Sequence, residues 1–120
     1  MNYAVIGSRS FNNYKHLEEV LNQFDDITCI VSGHAKGADS LAEKYSLYYK
    51  IKKLIFKPDW KKFGRKAGFI RNSLIIERSD VVVAFWDYKS KGTLDSINKA
   101  KKLKKEIHIV DIREQIEMEF

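Results

Sequence analysis

Between Val31 and Tyr45 the chain reads VSGHAKGADSLAEKY. Ser32 and Gly33 end a β-branched run, Gly37 follows four positions on, and Ala38 and Asp39 open a helical pattern. A glycine just ahead of a helix lets backbone amides approach a ligand closely, and the helix N-terminus offers free N–H groups to a phosphate. Two other stretches also follow apolar runs, and Gly92 in the second likewise sits just before a helix start. IGSRSF carries Gly7, Ser8 and Arg9 after an apolar run, and FWDYKSKGTLDS carries Trp86, Ser90, Gly92, Thr93 and Asp95 ahead of another helical pattern. Asp39 and Asp95 both fall in a first helical turn. As dipole partners they need no ligand, yet beside a phosphate they would repel it. The conflict resolves if they accept hydrogen bonds from ribose hydroxyls while amides and Arg9 or Arg71 hold the phosphate. Either aspartate is alternatively a catalytic general acid or base. The combination points to a nucleotide rather than a bare phosphate ester.

Two more groups belong with these. Ala67, Ile70 and Leu74 mark an apolar helical face, and Arg71 falls inside it, followed by Asn72. A buried arginine without a partner is expensive, so Arg71 either makes an internal salt bridge or carbonyl contact, or aims its fork at a phosphate or carboxylate. The stretch KPDWKKFGRK interleaves Trp60 and Phe63 with Lys57, Lys61, Lys62, Arg65 and Lys66. Basic residues beside exposed aromatics suit phosphates and bases. For a nucleotide, Trp60 would wall or stack the base and Lys66 would meet a phosphate. Otherwise the two rings turn into the core. The other basic cluster, five lysines between Lys99 and Lys105, closes a helix, where cations complement the dipole.

The elements that must position these groups alternate along the chain. Strand patterns cover Tyr3–Ile6, Ile27–Ser32, Lys53–Phe56, Val81–Phe85 and Ile107–Val110. Helical faces fill the gaps: Leu17, Val20, Leu21 and Phe24; Ala38, Leu41, Ala42, Tyr45 and Tyr49; Ile70, Leu74 and Ile75; Leu94, Ile97, Ala100 and Leu103. A short helix is expected in IREQIEMEF at the end. Strands too apolar for one wet face imply a parallel sheet covered by helices on both sides. With right-handed crossovers, the expectation is a single α/β domain over residues 1–120. It is a Rossmann-like three-layer open sheet of five strands in order 3-2-1-4-5. Ligands of such sheets bind outside the carboxyl ends of the strands, where the order reverses. The three glycine-bearing loops all fall on that edge.

Bulk properties agree. The 120 residues are 44% hydrophobic and 32% charged with net charge +6, an ordinary globular balance. No apolar run is long enough to span a membrane. The start, MNYAVIGSRS, lacks a signal-peptide pattern, and the single Cys29 sits in a strand pattern as a small hydrophobe; the expected location is the cytoplasm. His16, His34 and His108 have no metal-ligand spacing, and neither metal nor cofactor is expected.

IGSRSF, SGHAKGADSLAEKY, DWKKFGRKAGFIRN and AFWDYKSKGT together resemble the YspA-type branch of the SLOG superfamily, from about Tyr3 to Val110. The superfamily groups Rossmann-like nucleotide-binding domains, among them the LOG phosphoribohydrolases, DNA-processing protein A (Smf) and sensors of nucleotide signals. The branch is mostly uncharacterised and often bacterial or phage-encoded. LOG enzymes carry Gly-Gly-x-Gly-Thr-x-x-Glu with a catalytic glutamate. Here Gly92 and Thr93 match, Lys89 and Ser90 replace the earlier glycines, Ser96 occupies the glutamate's place and Asp95 comes one position early. That argues against LOG-type hydrolysis and leaves enzyme activity open. IGSRSF and SGHAKGAD are more similar to DNA-processing protein A. The resemblance therefore implies a binder of a nucleotide or nucleotide-derived small molecule, as sensor, sequestering protein or hydrolase. Its alternative is a module for single-stranded nucleic acid. Either is compatible with a homo-oligomer.

Overall fold

The computed structural model describes residues 1–113; most of the helix expected in IREQIEMEF lies outside the described residues. Five strands and five helices alternate in the order β1 (Asn2–Gly7), α1 (Tyr14–Leu21), β2 (Cys29–Ser32), α2 (Ala38–Tyr48), β3 (Lys52–Ile55), α3 (Trp60–Phe63), α4 (Ala67–Glu77), β4 (Val81–Trp86), α5 (Lys91–Lys102) and β5 (Glu106–Asp111). A 3-10 turn, Gly64–Lys66, joins α3 to α4. The strands form one sheet in order β3-β2-β1-β4-β5, all pairs parallel. The fold is thus an open α/β sheet of the Rossmann-like kind, and its order reverses on the two sides of β1.

Alternation along the central strands builds both faces. Tyr3 and Val5 of β1, with Val81, Val83 and Phe85 of β4, point to a core shared with Leu17 and Leu21 of α1 and Ala38, Ala42 and Tyr45 of α2. Ala4 and Ile6, with Val82 and Ala84, point the other way, against Ile75 and Ile76 of α4 and Ile97 and Ala100 of α5. Side chains two apart share a face, so these β-branched runs must be covered on both sides. Each fully buried large side chain contributes roughly 1.5–3 kcal/mol. Among the described residues no helix is long and apolar enough to cross a membrane.

Two helical faces differ from expectation. On α4 the buried residues are Ala67, Asn72, Ile75 and Ile76, while Leu74 is exposed and Ile70 half-buried. The helix is turned about a third of a revolution from its apolar periodicity. On α5, Leu94 and Leu103 are exposed, and Thr93 and Ser96 are buried beside Ile97 and Ala100. In both helices the buried polar side chains, Asn72, Thr93 and Ser96, line a cavity.

Candidate ligand site

The β1–α1 and β2–α2 loops touch through their backbones. Gly37 has φ 76°, and a Cβ there would collide with the carbonyls of Ser8 and Arg9. The Ala38 N–H donates to the Ser8 carbonyl at 3.4 Å, so the first amide of α2 turns toward the neighbouring loop rather than outward. Gly7 approaches the Phe85 carbonyl and Ala38 equally closely. Glycine at 7 and 37 is therefore required by loop-to-loop packing, in addition to any part in binding.

The β4–α5 loop is organised by Asp87. Its Oδ1 accepts the N–H groups of Lys89 and Ser90, both at 2.8 Å, and its own N–H donates to the Ser8 hydroxyl at 3.1 Å. Burial pushes the Asp87 carboxyl up, but the hydrogen bonds from Lys89, Ser90 and Ser8 outweigh it and hold the group below the usual carboxylate range. Ser90 caps α5, its hydroxyl accepting from the Thr93 N–H and the Thr93 hydroxyl. Tyr88 (φ 64°) and, in the β2–α2 loop, His34 (φ 60°) hold left-handed backbone, a conformation with a real cost outside helix C-termini.

A single file of hydrogen bonds crosses the floor. Arg71 Nη1 donates to the Gly33 carbonyl at 2.7 Å and Nε to Asn72 Oδ1 at 3.0 Å. Asn72 Nδ2 reaches the Gly92 carbonyl at 3.4 Å and Asp95 Oδ2 at 3.3 Å, and Asp95 pairs with Lys99 at 2.8 Å. Burial lowers the Arg71 pKa, Asp39 opposes that shift and Arg9 adds to it. Burial likewise raises Asp39, whose Oδ2 accepts the Ala35 N–H at 3.1 Å; that bond and Arg71 pull it back.

These loops and the floor enclose a cavity of about 480 Å³ at the carboxyl edge of the sheet. Of the residues singled out in the sequence, Gly7, Arg9, Asp39, Arg71, Asn72, Ser90, Gly92 and Thr93 line it. Ser8, Gly33, Gly37 and Ala38 support its walls from behind through the contacts above. Ser32 is buried at the end of β2, its hydroxyl unpaired among the described residues. Asp95 is turned to Asn72 and Lys99 instead of the cavity. Trp86 is half-buried, donating from Nε1 to the Ser90 carbonyl and stacking on Tyr88. Trp60 is 56% exposed beside Gly68, and Lys66 is exposed; neither lines the cavity. Asp87, Ser10, Ala35 and Ser96 line the cavity without having been marked as ligand contacts. For Asp87 the available signal was an aspartate two and three residues before amides that precede a helix.

An open parallel sheet whose βα loops wall a polar cavity at the switch point defines a Rossmann-like domain with a candidate ligand site. A sequence model of the YspA, cpYpsA-related SLOG family (YAcAr) matches residues 2–63, and the chain belongs to that family. No curated protein matches it significantly. Among solved structures it is similar to DNA processing protein A (DprA) from Streptococcus pneumoniae, with a TM-score of 0.76 and 18% identity. The match covers 99% of this chain and 61% of that one, so the chain spans about three-fifths of that protein's length. At that identity the likeness is one of fold.

Proposed function

We propose that the chain binds a nucleotide or nucleotide-derived small molecule at the carboxyl edge of the sheet, as a sensor, a sequestering protein or a hydrolase. The observation that carries this reading is the meeting of Arg9 and Arg71 with Asp39 and Asp87 on one cavity at the switch point. The arginines suit a phosphate, and the carboxylates suit sugar hydroxyls. Nε and one Nη1 hydrogen of Arg71 are engaged within the protein, which leaves three of its five N–H donors for a ligand. The test is thermal stabilisation by a nucleotide panel at low and moderate salt, with Arg71→Ala alongside. The variant should bind more weakly by roughly 1.5–3 kcal/mol. Unchanged binding with lowered stability would leave Arg71 as an internal tie only.

A second reading is favoured by one separate feature. Trp60, Phe63 and Phe69 are exposed among the exposed cations Lys57, Lys61, Lys62, Arg65 and Lys66, a composition suited to single-stranded nucleic acid. The protein of like fold is named for DNA processing. Steep loss of oligonucleotide affinity with salt separates this reading from the first.

A further inference from the structure

Resting on that first reading, we propose that the cavity is a pentose-phosphate site, which takes the sugar–phosphate part of its ligand and leaves any base outside. The wall chemistry is the main ground. Small-molecule sites are lined mostly by hydrophobic and aromatic side chains, and a flat heterocycle is held by stacking. Among the described residues lining this cavity none is aromatic, and the larger aliphatic ones are Ile6 and Ile75. The remainder is glycine, alanine, hydroxyl, amide, carboxylate and guanidinium.

The aromatic rings next to lining residues in sequence, Phe11, Trp86 and Tyr88, are already occupied: Phe11 stacks on Phe85 in the core at 5.0 Å between centroids. Trp86 and Tyr88 stack on each other at 4.2 Å between centroids, and the Arg113 guanidinium lies 4.1 Å from the Tyr88 centroid. Trp60 sits outside the wall.

What remains matches a phosphorylated sugar. Arg9 and Arg71 bring two positive charges to one cavity, close enough for Arg9 to disfavour charge on Arg71. A compact dianion between them relieves that repulsion. Asp87 is held ionised by the loop amides, and it offers an acceptor to a sugar hydroxyl. Ser90 at the N-cap of α5, with Thr93 and Ser96 within it, adds three hydroxyls. A free pentose phosphate and a nucleoside 5′-monophosphate share this chemistry.

Isothermal titration of the intact chain compares the two sources. The probes are ribose 5-phosphate, the four ribonucleoside 5′-monophosphates, their 2′-deoxy counterparts, and adenosine. Ribose 5-phosphate and all four ribonucleotides are expected to bind within about threefold of one another. The deoxynucleotides should be weaker by at least about tenfold, because a site built to bond a hydroxyl rejects the analogue that lacks it. Adenosine should not bind measurably. Trp60→Ala should leave every affinity unchanged. Ribonucleotide binding that varies about tenfold or more with the base, or ribose 5-phosphate weaker than the nucleotides by that factor, overturns the inference while the ligand-binding reading stands. A loss in Trp60→Ala confined to the nucleotides, the base then resting on Trp60, has the same consequence. Silence toward every phosphorylated probe removes both this inference and the small-molecule reading on which it rests.

Discussion

The Arg71 guanidinium occupies the space that a side chain at Gly33 would need. A Cβ on Gly33 would lie 2.5 Å from Arg71 Nη1 and 2.8 Å from its Cδ, while the Gly33 carbonyl accepts the Nη1 hydrogen at 2.7 Å. The glycine just after β2 and the arginine of α4 therefore act as one unit, though 38 residues separate them.

Gly33→Ala should consequently damage binding more than folding. The clash falls on the outer part of a flexible side chain, and the alanine restricts the unfolded chain by about 0.4–1 kcal/mol in its favour. Unfolding free energy in urea should change little. Ligand affinity should fall by roughly the 1.5–3 kcal/mol of a charged hydrogen bond as Arg71 is displaced. Intact affinity would show that Arg71 does not have to sit where it does.

Gly37→Ala should do the reverse. The obstruction there is backbone, the Ser8 and Arg9 carbonyls, and the residue holds φ 76°. Neither can be relieved by a rotamer change. A stability loss of at least about 1–3 kcal/mol is expected in urea melts. A variant as stable as the parent would mean that the two loops are free to part.

Asp39 and Asp87 should give opposite pH signatures. The folded pKa of Asp39 is raised above 3.8 by burial. The folded state therefore holds more protons than the unfolded one just above that value, and stability falls as pH rises through the window. The folded pKa of Asp87 is lowered despite burial, by its loop hydrogen bonds. Its contribution is present above 3.8 and is lost as pH falls through the folded value. Urea unfolding across the acid range should show Asp39→Asn gaining on the parent as pH rises above 3.8, and Asp87→Asn losing ground to the parent as pH rises toward 3.8 from below. Parallel curves for the two variants would contradict these environments.

The strands were legible because Val81–Phe85 and Tyr3–Ile6 are apolar at every position, which only a sheet covered on both faces tolerates. Crossover handedness only restricts the strand order; the expected 3-2-1-4-5 is the order the sheet has. The faces of α4 and α5 were not legible in the same way. Hydrophobic periodicity assumes that burial means apolar, but Asn72, Thr93 and Ser96 are buried at the cavity and leave Leu74 and Leu94 outside. The glycine-bearing loops showed where a site would form. Which side chains turn inward depends on contacts between loops far apart in sequence, such as Ser8 with Asp87, and no local pattern contains them. Trp60 and Asp95 show the same limit: their residue types suited the chemistry, while Trp60 stands exposed on α3 outside the cavity and Asp95 is held by Asn72 and Lys99.

The segment from Trp60 to Lys66 separates small-molecule from polymer binding. Asp59 caps its short helix by accepting the Lys62 N–H at 3.1 Å, so Lys61 and Lys62 can be replaced without touching the cap. Both are exposed and lie outside the cavity. A cavity-bound mononucleotide should be indifferent to Lys61→Ala/Lys62→Ala and to Trp60→Ala. A single strand lying over the segment should lose roughly 1–3 kcal/mol when Trp60 becomes alanine, from the lost stacking. Removing two phosphate contacts should then flatten its salt dependence by about 0.7 per contact. The measurement is affinity for a mononucleotide and a short oligonucleotide over a salt series, for the parent and both variants. Oligonucleotide binding that neither variant alters would take the segment out of nucleic-acid recognition and return the question to the cavity.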